Sequence, residues 1–199
     1  NNTKIVHRGG NKLHHLPTQA VFNNDGTKMF VVNHIGALSV DYYSLSTAFD
    51  ISTATFDDEF DISSVEGRAN TIAFNNDGTR MFIAGVGNNT QVRIHEYSLS
   101  TAFDLSSTVT LLNTEDLISF QNHIDGVTFN YDGTKMYTIT HMNKDGTPAQ
   151  DLMYQFKLTT PYDVSTLSLE GTYTVSSVSV SSREVVFSND GSKMFIIDD

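Results

Sequence analysis

The sequence predicts an all-β protein, a β-propeller of four-stranded antiparallel blades. Three observations support this prediction. A polar corner flanked by apolar runs recurs four times, the repeat period has room for four strands, and a second strand motif recurs within that period. Of the 199 residues, 39% are hydrophobic and 18% are charged, which suits an all-β chain with polar loops better than a disordered chain.

The recurring corner predicts a β-hairpin in every repeat. Its four copies are FNNDGTKMF (22–30), FNNDGTRMF (74–82), FNYDGTKMY (129–137) and FSNDGSKMF (187–195). Apolar and β-branched runs flank Asn, Asp and Gly, and the Gly supplies the positive φ that such a turn requires. We expect the first Phe and the Met of every copy to be buried: Phe22, Phe74, Phe129, Phe187, Met29, Met81, Met136 and Met194.

The spacing between hairpins indicates propeller blades. Successive corner glycines are roughly 52–58 residues apart, a period of the length of a blade of four strands. In the second copy the predicted strands are 69–74, 80–84, 91–99 and about 108–112, in the order A to D. Strands A and B form the hairpin.

A second motif recurs at strand C and the corner after it. Its copies are YSLSTAFDIS (43–52), YSLSTAFDLS (97–106) and FKLTTPYDVS (156–165), and the alternation at their start predicts a strand with one buried face. Phe49 and Ile51 are predicted to fold back as a plug over the outer part of the blade. Asp50, Asp104 and Asp163 are predicted to accept backbone N–H groups in the corner, in preference to binding a metal.

The repeats divide the chain into three complete blades and a split fourth within one domain, 1–199. Residues 3–6 are predicted to be a strand D, and 185–197 give only strands A and B. The simplest interpretation is a segment of a larger propeller. The alternatives are a four-bladed ring with one defective blade, or two copies that form one ring. The open blade edge predicts self-association, because its backbone groups lack partners.

Charge and composition exclude several classes of function. The formal net charge of -11 disfavours nucleic acid and anionic membranes as partners. No apolar run has the roughly 18 residues of a membrane helix, so no membrane insertion is expected. The absence of Cys excludes disulfides, thiolate catalysis and cysteine-type zinc sites.

The hairpin motif resembles those of bacterial YVTN/PD40-type β-propellers. Joined to the second motif, it is similar to highly repetitive propellers of secreted, surface and phage tail-fibre-like proteins of aquatic bacteria and their phages. The resemblance covers nearly the whole chain. It implies a propeller scaffold and an extracellular, cell-surface or virion-surface location, and it brings no catalytic signature. The insertion at 143–150 departs from the pattern and is a place where function could reside.

The loops before strand A and after strand B are predicted to share one face of the propeller, because antiparallel neighbours bring these ends together. Side chains vary there while the scaffold repeats, which is typical of a binding face on a repeated frame. The candidate ligand-binding residues on this loop face are His15, His34, Arg68, His123, Asp125, His141, Arg183 and Glu184.

A metal or catalytic centre is the sharper hypothesis for this face. Imidazole and carboxylate ligands for zinc could come from His15, His34, His123, His141 and Asp125. They lie on different blades without a tight spacing motif, so neither a calcium nor a zinc cofactor is predicted. A hydrolase would need a general base such as Asp125 or Glu184, and no nucleophile-elbow, zincin or P-loop motif is present.

The function predicted from the sequence is therefore a non-enzymatic extracellular recognition or structural module for adhesion. It would bind a glycan or a protein partner through the loop face and would have no catalytic residues. The alternative is a metal-dependent hydrolase or lactonase with a site on the propeller axis.

Overall fold

The computed structural model describes residues 16–34, 38–86, 91–141, 151–175, 181–188 and 190–198. These residues form strands and two short 3-10 helices, Ile51–Thr53 and Val164–Thr166. The strands are β1 (Pro17–Phe22), β2 (Lys28–Asn33), β3 (Ser39–Leu45), β4 (Ala54–Asp61), β5 (Ala69–Phe74), β6 (Arg80–Val86), β7 (Val92–Leu99), β8 (Val109–Asp116), β9 (Gly126–Phe129), β10 (Lys135–Thr140), β11 (Leu152–Leu158), β12 (Leu167–Thr174), β13 (Ser182–Phe187) and β14 (Met194–Asp198).

The strands form three complete blades and part of a fourth. The four-stranded sheets are β1–β4, β5–β8 and β9–β12, each with its strands in chain order, and β13 pairs with β14 in a two-stranded sheet. Every pair is antiparallel. The predicted architecture of four-stranded blades, with a split fourth, is confirmed. The predicted strand at 3–6 and the insertion at 143–150 lie outside the described residues.

The repeated corner closes the hairpin of the first two strands in every blade. In the second blade, β5 ends at Phe74, which is paired with Met81 of β6, and the predicted bounds of strand A agree with the structure. The corner glycines all have positive φ, near 70°, so a side chain there is strained. At Gly78 an added Cβ would lie 2.1 Å from a ring carbon of Phe103, so that the position also lacks space.

Hydrophobic side chains fill the spaces between neighbouring blades. Phe82 of β6 is fully buried and packs against Phe129 of the next blade, with ring centroids 4.4 Å apart. Met29, Met81 and Met136 are buried as predicted. The prediction is wrong for Met194, which is 41% exposed because, within the described residues, no third strand follows β14.

The first Phe of each hairpin is only half-buried, so the prediction of full burial is wrong there too. Phe187 contacts Tyr137 of the preceding blade, and the rings of the first three copies are covered on one side by the aromatic residue of the second motif. Phe74 contacts Phe103 in this way, at 5.2 Å between centroids. The strand register is unaffected, since Phe74 still faces Met81.

The corner after strand C has the predicted structural role in part. The side chain of Asp50 accepts a hydrogen bond from the Ser52 backbone N–H, at 3.0 Å, and caps the first 3-10 helix. Asp104 and Asp163 accept the same bond from Ser106 and Ser165. Phe49 contacts Gly26 and Phe22 but is 60% exposed, so it covers the corner rather than acting as a buried plug.

The first strands of the sheets surround the propeller axis. Each of β1, β5, β9 and β13 is the edge strand of its sheet, and β5 contacts β1 and β9 while β9 contacts β13. Side chains link them as well: the amide of Asn70 donates to the Ile124 carbonyl at 2.7 Å, and the Val127 N–H donates to Thr71 Oγ1 at 3.1 Å. No described helix has the length and apolar character needed to span a membrane.

Candidate functional site

A pocket of about 660 Å³ opens at the start of the inner strands. We call it the axial pocket. All four blades contribute to it, because the open ends of the four inner hairpins meet there, opposite the Asn-Asp-Gly corners. Its lining residues are Pro17, Thr18, Gln19, Ala20, His34, Asn70, His123, Asp125, His141, Arg183, Glu184 and Ile197.

Asp125 lies at the centre of a polar cluster in the axial pocket. It immediately precedes β9, and its side chain is only 4% exposed. Oδ2 accepts hydrogen bonds from the backbone N–H of His141, at 3.0 Å, and from its ring Nδ1, at 2.7 Å. Oδ1 lies 3.2 Å from Nδ1 of His123 and 3.3 Å from Nη1 of Arg183. One buried carboxylate thus contacts three basic side chains from two blades.

The two imidazoles are held in different ways. An ionised carboxylate only accepts hydrogen bonds, so the 2.7 Å contact assigns the Nδ1 hydrogen of His141 and leaves Nε2 of the neutral ring as an acceptor. The contact of His123 Nδ1 with Oδ1 of Asp125, at 3.2 Å, lacks the alignment of a hydrogen bond. Its Nε2 lies 3.5 Å from the amide of Asn70, and the two rings meet edge to face at 5.1 Å.

Asp125 remains ionised despite its burial. Burial alone would raise the pKa of this carboxyl, but the contacts with His123 and His141 outweigh burial and leave the pKa below its ordinary value. Arg183, from β13 of the next blade, adds a guanidinium whose Nη1 is 3.2 Å from Nδ1 of His141. Since the Arg183 side chain is 40% exposed, it forms the solvent-facing side of the cluster.

Glu184 is the second carboxyl group of the axial pocket, and its environment shifts its pKa in the opposite direction from that of Asp125. Burial raises its pKa to about 7, although the hydrogen bond from Gln19 acts in the other direction. That bond runs from Nε2 of Gln19 to Oε1 of Glu184 and joins the first blade to the fourth. Gln19 also accepts from the Ile72 N–H at 2.6 Å, so it connects three blades. The pocket therefore contains one ionised carboxylate and one that titrates near neutral pH.

Six of the eight predicted ligand-binding residues line the axial pocket: His34, His123, Asp125, His141, Arg183 and Glu184. Their role in binding stays a prediction. Arg68 is exposed and outside the pocket, where its backbone carbonyl accepts from the Val86 N–H at 2.9 Å, and His15 lies outside the described residues.

Sequence reasoning did not select Gln19 and Asn70, which also line the pocket. Both precede the hairpin Phe of their repeat by a few residues, as Glu184 and Arg183 do in the fourth copy. Alignment of the four hairpins therefore places them on the loop face, although they were not among the candidate ligand-binding residues.

The comparisons with known proteins concern the fold. No protein-family model matches the chain, and no curated protein matches it. Solved structures do match. A provisionally assigned 6-phosphogluconolactonase of Bacteroides uniformis has a TM-score of 0.59 and 14% identity, with 90% of this chain and 46% of that chain covered. The periplasmic gluconolactonase PpgL of Pseudomonas aeruginosa has a TM-score of 0.57 and 16% identity, with 98% of this chain and 50% of that chain covered.

A third match is the β-propeller domain of Cps50 (Swd1) of Myceliophteria thermophila, with a TM-score of 0.56, 11% identity and 92% and 50% of the two chains covered. The chain spans about half the length of these structures, as a segment of a larger propeller does. The propeller part of the predicted resemblance is confirmed. The narrower YVTN/PD40 and phage-related assignment stays a prediction, as do the surface location, the glycan ligand and self-association through the blade edge.

The predicted non-enzymatic recognition module is corrected by these findings. Structures with the same fold include lactonases, which agree with the alternative of an axial hydrolase. The physical reason for the error is that the repeats encode the scaffold, whereas the residues that line the axial pocket do not repeat.

Proposed function

We propose that this chain carries the site of a hydrolase that opens a lactone ring in the axial pocket. The observation that supports the proposal best is the pair of carboxyl groups there. Asp125 is held ionised by two histidines, whereas the pKa of Glu184 is raised to about 7 by burial. Environments that separate the pKa values of two carboxyls within one site are typical of acid–base catalysis.

His141 is the proposed general base. Asp125 fixes its Nδ1 hydrogen through the 2.7 Å contact and stabilises the imidazolium that forms when Nε2 takes a proton. A water molecule would give that proton to Nε2 and attack the lactone carbonyl carbon. Asp125 itself is a poor base, because its pKa lies below the ordinary value. Its role is therefore to orient the ring of His141 and to stabilise the positive charge that the ring gains.

Arg183 and Glu184 would assist the addition of water and the opening of the ring. The guanidinium of Arg183, at the exposed side of the cluster, can donate to the oxygen that becomes negative as water adds. Glu184 holds a proton up to about pH 7 and can donate it to the ring oxygen when the carbon–oxygen bond breaks. The product is a hydroxy acid, and one proton has moved to His141 and one has left Glu184.

The substrate class is inferred from size and from the fold comparisons. A volume of about 660 Å³ accommodates a molecule of the size of one sugar ring, and most of the lining residues have polar side chains. The lactonase structures with this fold support a sugar lactone as the substrate class.

The test is acid release from glucono-δ-lactone, with the spontaneous rate in buffer subtracted. We expect turnover by the wild type and a loss of about 100-fold or more in Asp125→Asn, within the range of general acid–base catalysis. Asp132→Asn is the matched control. It lies in the same blade, but at the corner, where the carboxylate bonds the Thr134 N–H at 2.9 Å.

We expect Asp132→Asn to keep the wild-type rate. A wild-type rate equal to the spontaneous rate would refute the proposed activity. Equal activity in Asp125→Asn and the wild type would refute the proposed site. Thermal melts of both variants separate a loss of chemistry from a loss of fold.

A further inference from the structure

We propose that His123, Asp125 and His141 form a binding site for one divalent transition-metal ion of the zinc type. Each residue offers one ligand atom, and these atoms all lie within 4.8 Å of one another. This inference does not depend on the proposed hydrolysis, because metal binding is measured without substrate. A metal held by His141 would occupy the lone pair that the proposed general base uses, so the hydrolysis proposed above is a reaction of the metal-free protein.

The donor set selects the class of metal. Two imidazole nitrogens and one carboxylate oxygen suit zinc and its neighbours in the first transition series, whereas calcium and magnesium prefer all-oxygen sites. Three protein ligands also leave coordination positions open for water or another small molecule, as in catalytic zinc sites. The site is therefore expected to discriminate strongly between zinc and calcium.

The fold holds the three ligands before any metal binds. His123 and Asp125 lie on one short segment before β9, and His141 directly follows β10, the hairpin partner of β9. The backbone N–H of His141 donates to Asp125 at 3.0 Å, which fixes the distance between the two segments. Because the ligands are held by an inner hairpin, little conformational entropy is lost when a metal binds.

Arg183 supports a cation site at this position. Its Nη1 lies 3.3 Å from Oδ1 of Asp125 and 3.2 Å from Nδ1 of His141, two of the proposed ligands. The guanidinium thus lies where positive charge is favourable. Its side chain is 40% exposed, in contrast to 4% for Asp125, so it can move toward solvent when a metal binds. Arg183 is then a competitor of the metal, and its removal should strengthen binding.

His34 provides a matched control for the removal of a histidine ligand. It lines the same axial pocket, but its Nδ1 lies 3.3 Å from the carbonyl oxygen of Ala69 and it is not part of the cluster. A non-specific effect of histidine removal would appear in both His34→Ala and His141→Ala. If the cluster forms the metal site, the affinity for zinc falls only in His141→Ala.

The experiment titrates the folded protein with zinc chloride in a calorimeter, and with cobalt chloride as a spectroscopic probe. We expect one zinc per chain, an affinity at least tenfold lower in His123→Ala and in His141→Ala, and no change in His34→Ala. Arg183→Gln is expected to bind zinc about tenfold more tightly. Cobalt bound by the two imidazole nitrogens and the carboxylate oxygen should give visible absorption bands. Calcium at equal concentration should not displace zinc.

Three outcomes would overturn the proposal: no saturable zinc binding by the folded wild type, equal affinity in His141→Ala and the wild type, or weaker binding in Arg183→Gln. Melting curves without metal check that each variant is folded. If His123→Ala or His141→Ala is not folded, Asp125→Asn is used in its place. A protein that binds zinc but does not open lactones would contradict the proposed function alone.

Discussion

The two ends of each inner hairpin differ in which side chains they carry and in what those side chains contact. At the corner, Asp25, Asp77 and Asp132 each accept a hydrogen bond of 2.9 Å from the Thr two residues later. At the open end, Asp125 contacts His141, which follows a different strand, and Arg183 of the next blade. The corner is specified by a few consecutive residues, whereas the open end is specified only by the assembled fold.

The same comparison shows that a lowered pKa does not identify a functional carboxylate. Asp132 has a lowered pKa because the Thr134 hydroxyl and N–H bond its carboxylate locally. Asp125 has a lowered pKa although burial opposes it, because two histidines contact it. The first environment recurs in every blade and stabilises a turn. The second occurs once among the described residues, in a pocket, and is the one that can support chemistry.

The largest expected effect is on the repeated scaffold. Phe82→Ala should lower the free energy of unfolding by about 3–5 kcal/mol, because Phe82 is fully buried between two blades. Phe195 has the equivalent position in the fourth blade but is 53% exposed, so Phe195→Ala should cost under about 1 kcal/mol. Denaturant unfolding measures both. Equal losses would show that another segment covers Phe195 in solution.

A smaller effect is expected at the corner glycines. Gly78→Ala combines a positive φ of 72° with a Cβ that would lie 2.1 Å from Phe103, and we expect a loss of about 2–4 kcal/mol. Gly191 has a φ of 68° with nothing within 4 Å of an added Cβ, so Gly191→Ala should cost only about 1 kcal/mol. Thermal unfolding of the two variants compares them. Similar losses would mean that Phe103 moves aside at no cost and that φ alone matters.

The corner and the strands could be predicted from the sequence because their information is local. The run from Ala69 to Phe74 is followed by a turn in which Gly78 has a positive φ of 72°, and its predicted bounds agree with β5. The degree of burial was predicted less well. The exposure of Met194 depends on which strand lies beside β14, and no pattern within its own repeat reports that.

The site could be predicted only in part. Alignment of the repeats indicated that residues before strand A and after strand B share a face, and the structure brings six of the selected residues into one pocket. The sequence does not reveal that Arg183 reaches Asp125 across a blade boundary, since that depends on blade packing and side-chain conformation. Nor does it distinguish Asp125 from Glu184, whose pKa values move in opposite directions because their surroundings differ.

The smallest expected effect is a pH dependence that originates at the open end alone. The pKa of Glu184 is raised to about 7 in the folded protein, against an ordinary value of 4.5. Below pH 4.5 both the folded and the unfolded chain hold this proton. Between pH 4.5 and about 7 the folded chain keeps a proton that the unfolded chain has lost, so the free energy of unfolding falls as the pH rises. Above about pH 7 the loss is complete.

Glu184→Gln isolates this contribution from the other titrating groups. The glutamine oxygen can still accept the hydrogen bond from Gln19, but it carries no charge. Because Glu184 is partly exposed, we expect only about 1 kcal/mol between the two proteins, with Glu184→Gln the more stable at pH 8 and the two equal at pH 4. Denaturant unfolding across this range measures the difference. A constant difference at all pH values would mean that Glu184 is solvated, and it would then also be unsuited to donate a proton in the axial pocket.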